Sequence, residues 1–193
     1  TIYYDNALIK VYNVPIFYFP RLSHPDPTVD RRSGFLLPRY SDTKNLGSGI
    51  SVPYYYAIDK DKDFTFTNYF YIDENPLFIG EYRQAFKDSN LTLDMGYTQG
   101  YKNTGASKKS GEKSHFFSNF VSLFKGKNNS EKIFKFKTQN VSNDKYLKLY
   151  RINSDLVDYN QDILENYIDF SHSSDDIFLS ANATIYENLK DKY

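Results

Sequence analysis

The chain has 193 residues, which is room for one large or two small domains, and 24 lysines and arginines balance 24 aspartates and glutamates. This zero net charge gives no support for nucleic-acid binding driven by a basic field. Because the chain contains no cysteine, a disulfide framework, a cysteine zinc site and a thiol nucleophile are excluded. Aromatic residues make up 18% of the chain, a composition that favours pleated strands.

The first 32 residues differ in sequence pattern from the rest of the chain. Residues 1–20 contain two or three apolar stretches that predict short strands, and the following "RLSHPDPTVD" is broken by prolines. We therefore place a linker over residues 21–32. The chain starts at Thr1 without a signal-peptide pattern, so we expect it to be an internal piece of a longer protein.

Two neighbouring strand-like stretches then each carry one proline. "DRRSGFLLPRY" (30–40) contains Pro38, and "GISVPYYYA" (49–57) contains Pro53. Since proline cannot donate a ladder hydrogen bond, a sheet accepts it at an edge, at a strand start or at a bulge. The pattern predicts two strands that pair weakly. Ordinary edge prolines, or protection against aggregation, are the alternative interpretation.

Apolar and polar residues alternate through most of the chain after the linker, which predicts an all-β, antiparallel meander. Most of the predicted strands exceed the roughly 5 to 6 residues of a globular strand and approach the 9 to 11 that cross a bilayer at a tilt. The nine predicted strands are 33–40, 49–57, 63–72, 77–87, 90–99, 113–124, 131–140, 162–172 and 176–187.

The alternation assigns side chains to two faces. Apolar residues expected on one face are Phe64, Phe66, Phe78, Tyr82, Leu91, Leu93, Met95, Phe134 and Phe136. Charged residues expected on the other are Glu81, Arg83, Asp94, Lys135, Lys137, Glu165 and Asp169. An apolar face toward lipid and a polar face toward a lumen are typical of outer-membrane barrels, although a solvated sheet over a sandwich core has the same alternation.

The connections add a second pattern. Every second one is predicted to be short, and the others longer, as in outer-membrane barrels. The short connections are 59–62, 87–90, 125–130 and 173–176; the others are 41–48, 73–76, 100–112 and 141–161, of which 73–76 is itself short and weakens the pattern slightly. Within the last of these, "VSNDKYLKLY" (141–150) predicts a short helix.

Several motifs resemble one family of outer-membrane proteins. These are "NVPIFYFP" (13–20), "RRSGFLLP" (31–38), "VPYYYAI" (52–58), "DFTFTNYFY" (63–71) and "GEYR" (80–83). In this order they resemble the LptD family, the lipopolysaccharide-assembly or organic solvent tolerance proteins, over about residues 5 to 100.

The resemblance implies three regions. Residues 1–20 would be the tail of a periplasmic β-jelly roll and 21–32 the linker. Residues 33–193 would be the first strands of a large transmembrane β-barrel in the cell outer membrane. Most of the jelly roll and the closing strands of the barrel would lie outside this chain.

The resemblance also implies a function, which is to insert lipopolysaccharide into the outer leaflet. Sugar would pass through the lumen, and lipid A would leave through a lateral seam loosened by Pro38 and Pro53. The family works with an LptE-like lipoprotein plug and an LptA-like periplasmic bridge, whose docking end would be absent here. No covalent chemistry, cofactor or nucleotide motif is expected.

Four charged residues are candidates for the lipopolysaccharide path. Arg31 and Arg32 would meet lipid A phosphates, to which arginine binds bidentately. The alternative, which we favour from the residues, is that they bond carboxylates or carbonyls between domains. Glu81 and Arg83 would line the polar conduit.

Other interpretations stay open at this point. A soluble β-sandwich could bind carbohydrate through its 19 tyrosines, or the chain could come from a general porin. Solubility without detergent would favour the sandwich. His24, His115 and His172 are predicted to be isolated, and "DKDKD" (59–63) lacks the glycine and closing glutamate of a calcium loop, so catalysis and calcium binding find little support.

Overall fold

A computed structural model describes residues 2–24, 31–102, 104–105, 108, 110–126 and 129–190. The chain begins with a separate antiparallel hairpin of β1 (Ile2–Val11) and β2 (Val14–His24). These strands are longer than the short strands predicted for this region. Because β2 runs to His24, the first residues of the predicted linker are strand, and 25–30 lie outside the described residues.

A second, ten-stranded antiparallel sheet contains the rest of the strands, in the spatial order β12-β11-β10-β9-β8-β7-β6-β5, with β3 and β4 both paired to β5. The strands are β3 (Gly34–Phe35), β4 (Arg39–Thr43), β5 (Gly47–Asp59), β6 (Lys62–Tyr71), β7 (Leu77–Ala85), β8 (Ser89–Gly100), β9 (Ser110–Lys125), β10 (Glu131–Val141), β11 (Ile163–Ser173) and β12 (Phe178–Asn188). The predicted all-β antiparallel meander is confirmed, and one predicted strand, 33–40, is split in two. The sheet is open, with β12 at one edge and β3 and β4 at the other.

The pleat sorts the side chains of this sheet as the alternation predicted. Directly opposite neighbours share a face, and one such row runs from Leu91 through Phe120 and Phe136 to Ile168. We call this side the apolar face. All nine apolar residues predicted for one face lie on it, and its rings stack, with Phe66 centred 6.3 Å from Phe78.

The opposite side, the polar face, carries the charges. Glu81 lies opposite Asp94, and Lys135 lies opposite Asp169. Lys137 extends its Nζ to within 3.4 Å of an oxygen of Glu165. All seven charged residues predicted for one face lie on this side, so the two-sided pattern of the wall is confirmed.

The connection 142–162 folds over one end of the polar face and builds the core there. It contains the helix α1 (Tyr146–Tyr150), which confirms the predicted short helix. The helix ends because Arg151 adopts a left-handed conformation, and the N–H of Ile152 then bonds the carbonyl of Leu147. The buried core consists of Leu46, Leu77, Phe117, Tyr146, Leu147, Tyr150, Ile152, Val157 and Leu164. In the described part of the chain, no helix is long and apolar enough to cross a membrane.

One predicted connection is wrong. The stretch 41–48 is largely ladder, because β4 pairs with β5 as far as Thr43 opposite Gly47. Thr43 closes the tight turn by accepting a hydrogen bond from the N–H of Leu46 at 3.1 Å, and Gly47 supplies the positive φ of 71°. The alternation of short and long connections is therefore weaker than predicted, since 41–48 joins the already short 73–76 and only the last two of these four connections are long.

Candidate functional site: the first-strand seam and the polar face

The pairing of β3 with β5 ends at a proline. Phe35 lies opposite Tyr54, and the next residue, Leu36, donates its N–H to the carbonyl of Pro53 at 2.9 Å. In an antiparallel ladder, such a pair normally exchanges two hydrogen bonds. Because proline has no N–H, the carbonyl of Leu36 lacks the matching donor from Pro53.

The hydrogen bond that Pro53 cannot donate would point to β3, so the ladder between β5 and β6 is unaffected. The N–H and C=O of one strand residue point to the same side, and the carbonyl of Pro53 points to Leu36. The opposite neighbour of Pro53 on β6 is Thr67, in a position that exchanges no ladder bond with it. Pro53 thus weakens the β3–β5 pairing specifically.

Pro38 lies in a β-bulge beside that gap. The pairing resumes with Arg39 opposite Ser51, so Leu37 and Pro38 together oppose the single residue Val52. The register on the two sides of the bulge differs by one residue, and the strand is interrupted over 36–38. The two prolines identified from the sequence are therefore brought together at one break in the edge strand, which we call the seam.

A charged cluster on the polar face lies next to the start of the edge strand. The carboxylate of Asp63, which is 1% exposed, accepts a hydrogen bond from Arg83 Nε at 2.9 Å and lies 2.8 Å from Arg31 Nη2. Arg83 also pairs with Glu81 at 3.0 Å. Three of the four predicted path residues thus meet around Asp63, whereas Arg32, the fourth, has an exposed side chain in the segment before β3.

Asp63 is the member of this cluster that sequence reasoning missed. It is the last residue of "DKDKD" and the first of the predicted strand 63–72, and in the structure it is the second residue of β6, directly opposite Arg83. Its position on the same face as Glu81 follows from the alternation and could have been found from it. Its contact with Arg31, far away in sequence, could not.

The prediction that the histidines are isolated is wrong for His115. Its Nε2 lies 3.0 Å from Asp94 Oδ1 and its Nδ1 lies 3.1 Å from the hydroxyl of Tyr146. A neutral ring that donates to Asp94 Oδ1 and accepts from Tyr146 uses both of its nitrogens, while Asp94 Oδ2 makes no hydrogen bond within the described chain. Burial raises the pKa of the Tyr146 phenol above its ordinary value, so this hydroxyl keeps its proton as a donor.

Gly96 makes room for this chain of hydrogen bonds. It lies opposite His115 in the ladder, and a Cβ at this position would collide with the imidazole ring and come within 2.8 Å of the Tyr146 hydroxyl. The ring of His115 also stacks on Phe117 at 4.6 Å. Because the side chains of His115 and Asp94 are 0% and 1% exposed, the triad is sealed from any substrate and attaches the helix α1 to the wall.

Gln139 attaches the other part of the same connection. Its Nε2 donates to the carbonyl of Leu156 at 2.7 Å, while its Oε1 accepts from the N–H of Glu165 at 2.9 Å and from Gln161 at 3.0 Å. The side chain is 1% exposed. A buried amide with this many partners specifies one position for the segment.

A further buried carboxylate ties down the connection between β8 and β9. Glu74 accepts hydrogen bonds from Lys108 Nζ at 2.6 Å and from the N–H of Lys102 at 2.8 Å. The hydrogen bond to Glu74 raises the pKa of Lys108. Lys108 also lies 4.9 Å above the ring of Tyr101.

The described part of the chain offers no group of side chains suited to binding a metal ion. Among the described residues, no cluster of three or more histidines, aspartates or glutamates is arranged to hold a metal ion. The "DKDKD" stretch forms a turn in which Asp59 accepts a hydrogen bond from the N–H of Lys60, at 2.8 Å. The arrangements that the structure offers are therefore a two-sided wall, a loosened edge strand and a set of buried polar attachments.

Comparison with known proteins agrees with the motifs. The chain is similar to the LPS-assembly protein LptD of Psychrobacter cryohalolentis, with 38% identity over 80 residues, which is 40% of this chain and 8% of the relative. It is 41% identical over 63 residues to LptD of Francisella tularensis subsp. novicida, covering 32% of this chain and 7% of the relative. The match to LptD of Chromobacterium violaceum has 33% identity over 110 residues, or 57% of this chain and 14% of the relative.

No family model matches the chain. The chain spans less than a sixth of the length of the relatives it matches. The similarity therefore supports an LptD-like family for the matched part of the chain, and the activity of the whole protein is inferred below.

Proposed function

We propose that this chain is part of the wall of an outer-membrane lipopolysaccharide translocon. The ten-stranded sheet would be a segment of a larger transmembrane β-barrel, with the apolar face toward acyl chains and the polar face toward an aqueous conduit. The N-terminal hairpin would end a periplasmic jelly roll, and the residues between His24 and the first strand of the large sheet would be the linker. The protein would do no covalent chemistry and would need no cofactor.

The observation that carries this proposal is the uncovered apolar face. Large side chains along it remain about 40% exposed in strand after strand, as at Phe66 (38%), Met95 (41%), Phe116 (44%) and Phe136 (39%). A soluble protein rarely exposes so extended an apolar surface. A β-sandwich would bury this face under a second sheet, and within the described residues no second sheet packs on it. Lipid is the environment that suits it.

The seam supports a lateral exit for the lipid. Pro53 removes a donor toward the edge strand, and Pro38 lies in the bulge that interrupts the same pairing. One missing ladder bond is worth about 0.5 to 1.5 kcal/mol, and the deficit grows where water cannot replace it. A general porin has no need of such a weakness. We infer that the closing strand of the full barrel meets this edge and that the pair parts to release lipid A.

The polar face supports passage of the sugar chain. Glu81, Arg83 and Arg31 form one charged group on it, and Arg32 precedes the first strand with an exposed side chain. Such a charged, hydrated surface would suit the passage of a phosphorylated sugar chain along this face. An LptE-like lipoprotein would occupy the lumen, and an LptA-like bridge would deliver the substrate to the jelly roll.

The test is lipopolysaccharide transport by proline variants. Pro38→Ala and Pro53→Ala in the full-length protein should slow the arrival of lipopolysaccharide at the cell surface, because each restores a possible ladder donor or straightens the bulge. Pro76→Ala, in the connection between β6 and β7, is the matched control and should leave transport unchanged. Normal transport in both seam variants, at normal protein levels, would remove the lateral-exit role.

A further inference from the structure

We propose that Asp63 is a positioning residue that pins the start of the first strand to the polar face and so confines the weak part of the seam to residues 36–38. The proposal rests on the proposed function, because it concerns how the seam is bounded. It names a residue that is outside the seam and that the sequence pattern did not single out.

The first step of the argument is the burial of the Asp63 carboxylate. The side chain is 1% exposed, and its two oxygens are served by different parts of the chain. Oδ1 accepts the hydrogen bond from Arg83 across the β6–β7 ladder. Oδ2 makes no hydrogen bond within the described chain, and its compensation is the guanidinium of Arg31, 2.8 Å away.

The second step is the asymmetry of this ion pair. Arg31 is 51% exposed, so its charge would be well solvated without the pair, whereas the carboxylate is almost fully enclosed. A buried charge that loses its partner is strongly destabilising. The free-energy cost of separating the pair therefore falls mainly on the Asp63 carboxylate, and this cost holds the segment that carries Arg31 in place.

The third step is that two further contacts fix the same segment. Arg31 Nη1 donates to the carbonyl of Lys60 at 3.3 Å, and Ser33 Oγ accepts a hydrogen bond from the N–H of Ala57 at 2.9 Å. Residues 31–33 are thus attached to the β5–β6 hairpin by three side-chain contacts. Beyond the bulge, β4 is held by its regular ladder to β5.

The weak stretch is consequently bounded on both sides. Residues 36–38, where Pro53 offers no donor to the carbonyl of Leu36 and the strand bulges at Pro38, lie between residues 31–33 and the ladder of β4. Opening of the seam would then be local, and the strand would close again in its original register. Without Asp63, the strand would fray from its start through Pro38, and the seam would open over a longer stretch.

Amide hydrogen exchange of the full-length protein in lipid nanodiscs tests this proposal. Asp63→Asn should exchange the amides of residues 33–36 about tenfold faster than the wild type, with the amides of β8 and β9 unchanged. Asp61→Asn is the matched control, since it removes an exposed carboxylate two residues away and should change neither region. Unchanged exchange at 33–36 in a folded Asp63→Asn protein would overturn the proposal.

A second variant covers the case in which Asp63→Asn does not fold. In Arg31→Gln, Arg83 still donates a hydrogen bond to Asp63, so the sheet should remain intact, and exchange at 33–36 should accelerate by a similar factor. Where both variants fold, combining them should add little to either alone, because they break the same contact. If Arg31→Gln folds and its amides at 33–36 exchange at the wild-type rate, Asp63 does not position the first strand through Arg31.

The experiments can disprove the positioning role of Asp63 and the proposed function independently of each other. Faster exchange at 33–36 together with normal transport in the two proline variants would keep the role of Asp63 in positioning and remove the lateral exit. Unchanged exchange together with impaired transport in the proline variants would do the reverse.

Discussion

The pairing of β8 with β9 and the pairing at the seam differ sharply within one sheet. The β8–β9 ladder runs without interruption from Ser89 opposite Ser122 to Thr98 opposite Lys113, and the hydrogen-bonded triad of Asp94, His115 and Tyr146 covers its polar face. At the seam, two short ladders in different registers meet, and Pro53 offers no donor to the carbonyl of Leu36 between them. The difference indicates that strand pairing is continuous in the middle of the sheet and interrupted at its first edge, and the proposed function assigns lateral opening to that edge.

The largest expected effect is loss of the triad. His115→Ala leaves the enclosed carboxylate of Asp94 without a partner and should lower the free energy of unfolding by about 3 to 5 kcal/mol. Urea unfolding of the protein in detergent measures this change. His172→Ala, on the apolar face of β11, is the control and should cost less than about 1 kcal/mol. Equal losses in the two variants would contradict the rigid role of the triad.

The next effect concerns apolar packing in the two regions. Leu147→Ala removes a side chain with no exposed surface from the core under α1 and should cost about 2 to 4 kcal/mol. Leu37→Ala, at the seam, removes a side chain that is 73% exposed and should change the stability by less than about 0.5 kcal/mol. The same unfolding experiment compares them, and a comparable cost for Leu37 would mean that the seam is packed like the core.

A third variant strengthens the seam itself. Pro53→Val supplies the donor that the carbonyl of Leu36 lacks and should stabilise the pairing of β3 with β5 by about 0.5 to 1.5 kcal/mol. Slower amide exchange at Leu36 is the expected readout, with exchange in β8 and β9 as the internal reference. If exchange at Leu36 stays the same or becomes faster, the missing donor is not what loosens this edge.

The smallest effect is a dependence on pH outside the strands. Hydrogen bonds from Lys148 and Lys190 lower the pKa of Asp162. A carboxylate whose folded pKa is lowered stabilises the fold above its unfolded pKa of about 3.9. That contribution disappears as the pH falls through the folded pKa. Thermal unfolding between pH 6 and pH 2 should show an acid-dependent loss that is slightly smaller in Asp162→Asn than in the wild type or in Asp155→Asn, and high salt should reduce this difference.

Much of the fold could be predicted because period-two alternation determines which side of a sheet each residue occupies. The apolar row through Leu91 and Phe136, and the opposed charges of Lys135 and Asp169, follow from that rule. The split of the first strand could not be read from the pattern, since a bulge shifts the register by one residue without changing the composition. The stretch 41–48 was missed because a threonine and a glycine close a turn tighter than its polar residues suggested.

The buried attachments were beyond sequence reasoning for a different reason. Asp94, His115 and Tyr146 are far apart in the chain, and only the fold of the connection 142–162 over the polar face brings the tyrosine to the histidine. The contact between Arg31 and Asp63 likewise depends on where the chain enters the sheet. The prolines were identified because proline has a local physical consequence, although the direction of the missing donor at Pro53 required the register.

The central claim is a wall with lipid on one side and water on the other, and single cysteines along β6 of the full-length protein in vesicles test it most directly. Cysteines replacing Thr65 and Thr67 should react with a water-soluble thiol reagent, and those replacing Phe64 and Phe66 should resist it and instead be quenched, when fluorescently labelled, by brominated acyl chains. This alternation with a period of two is the predicted result. Uniform reactivity along the strand, or quenching on the threonine side, would contradict the account.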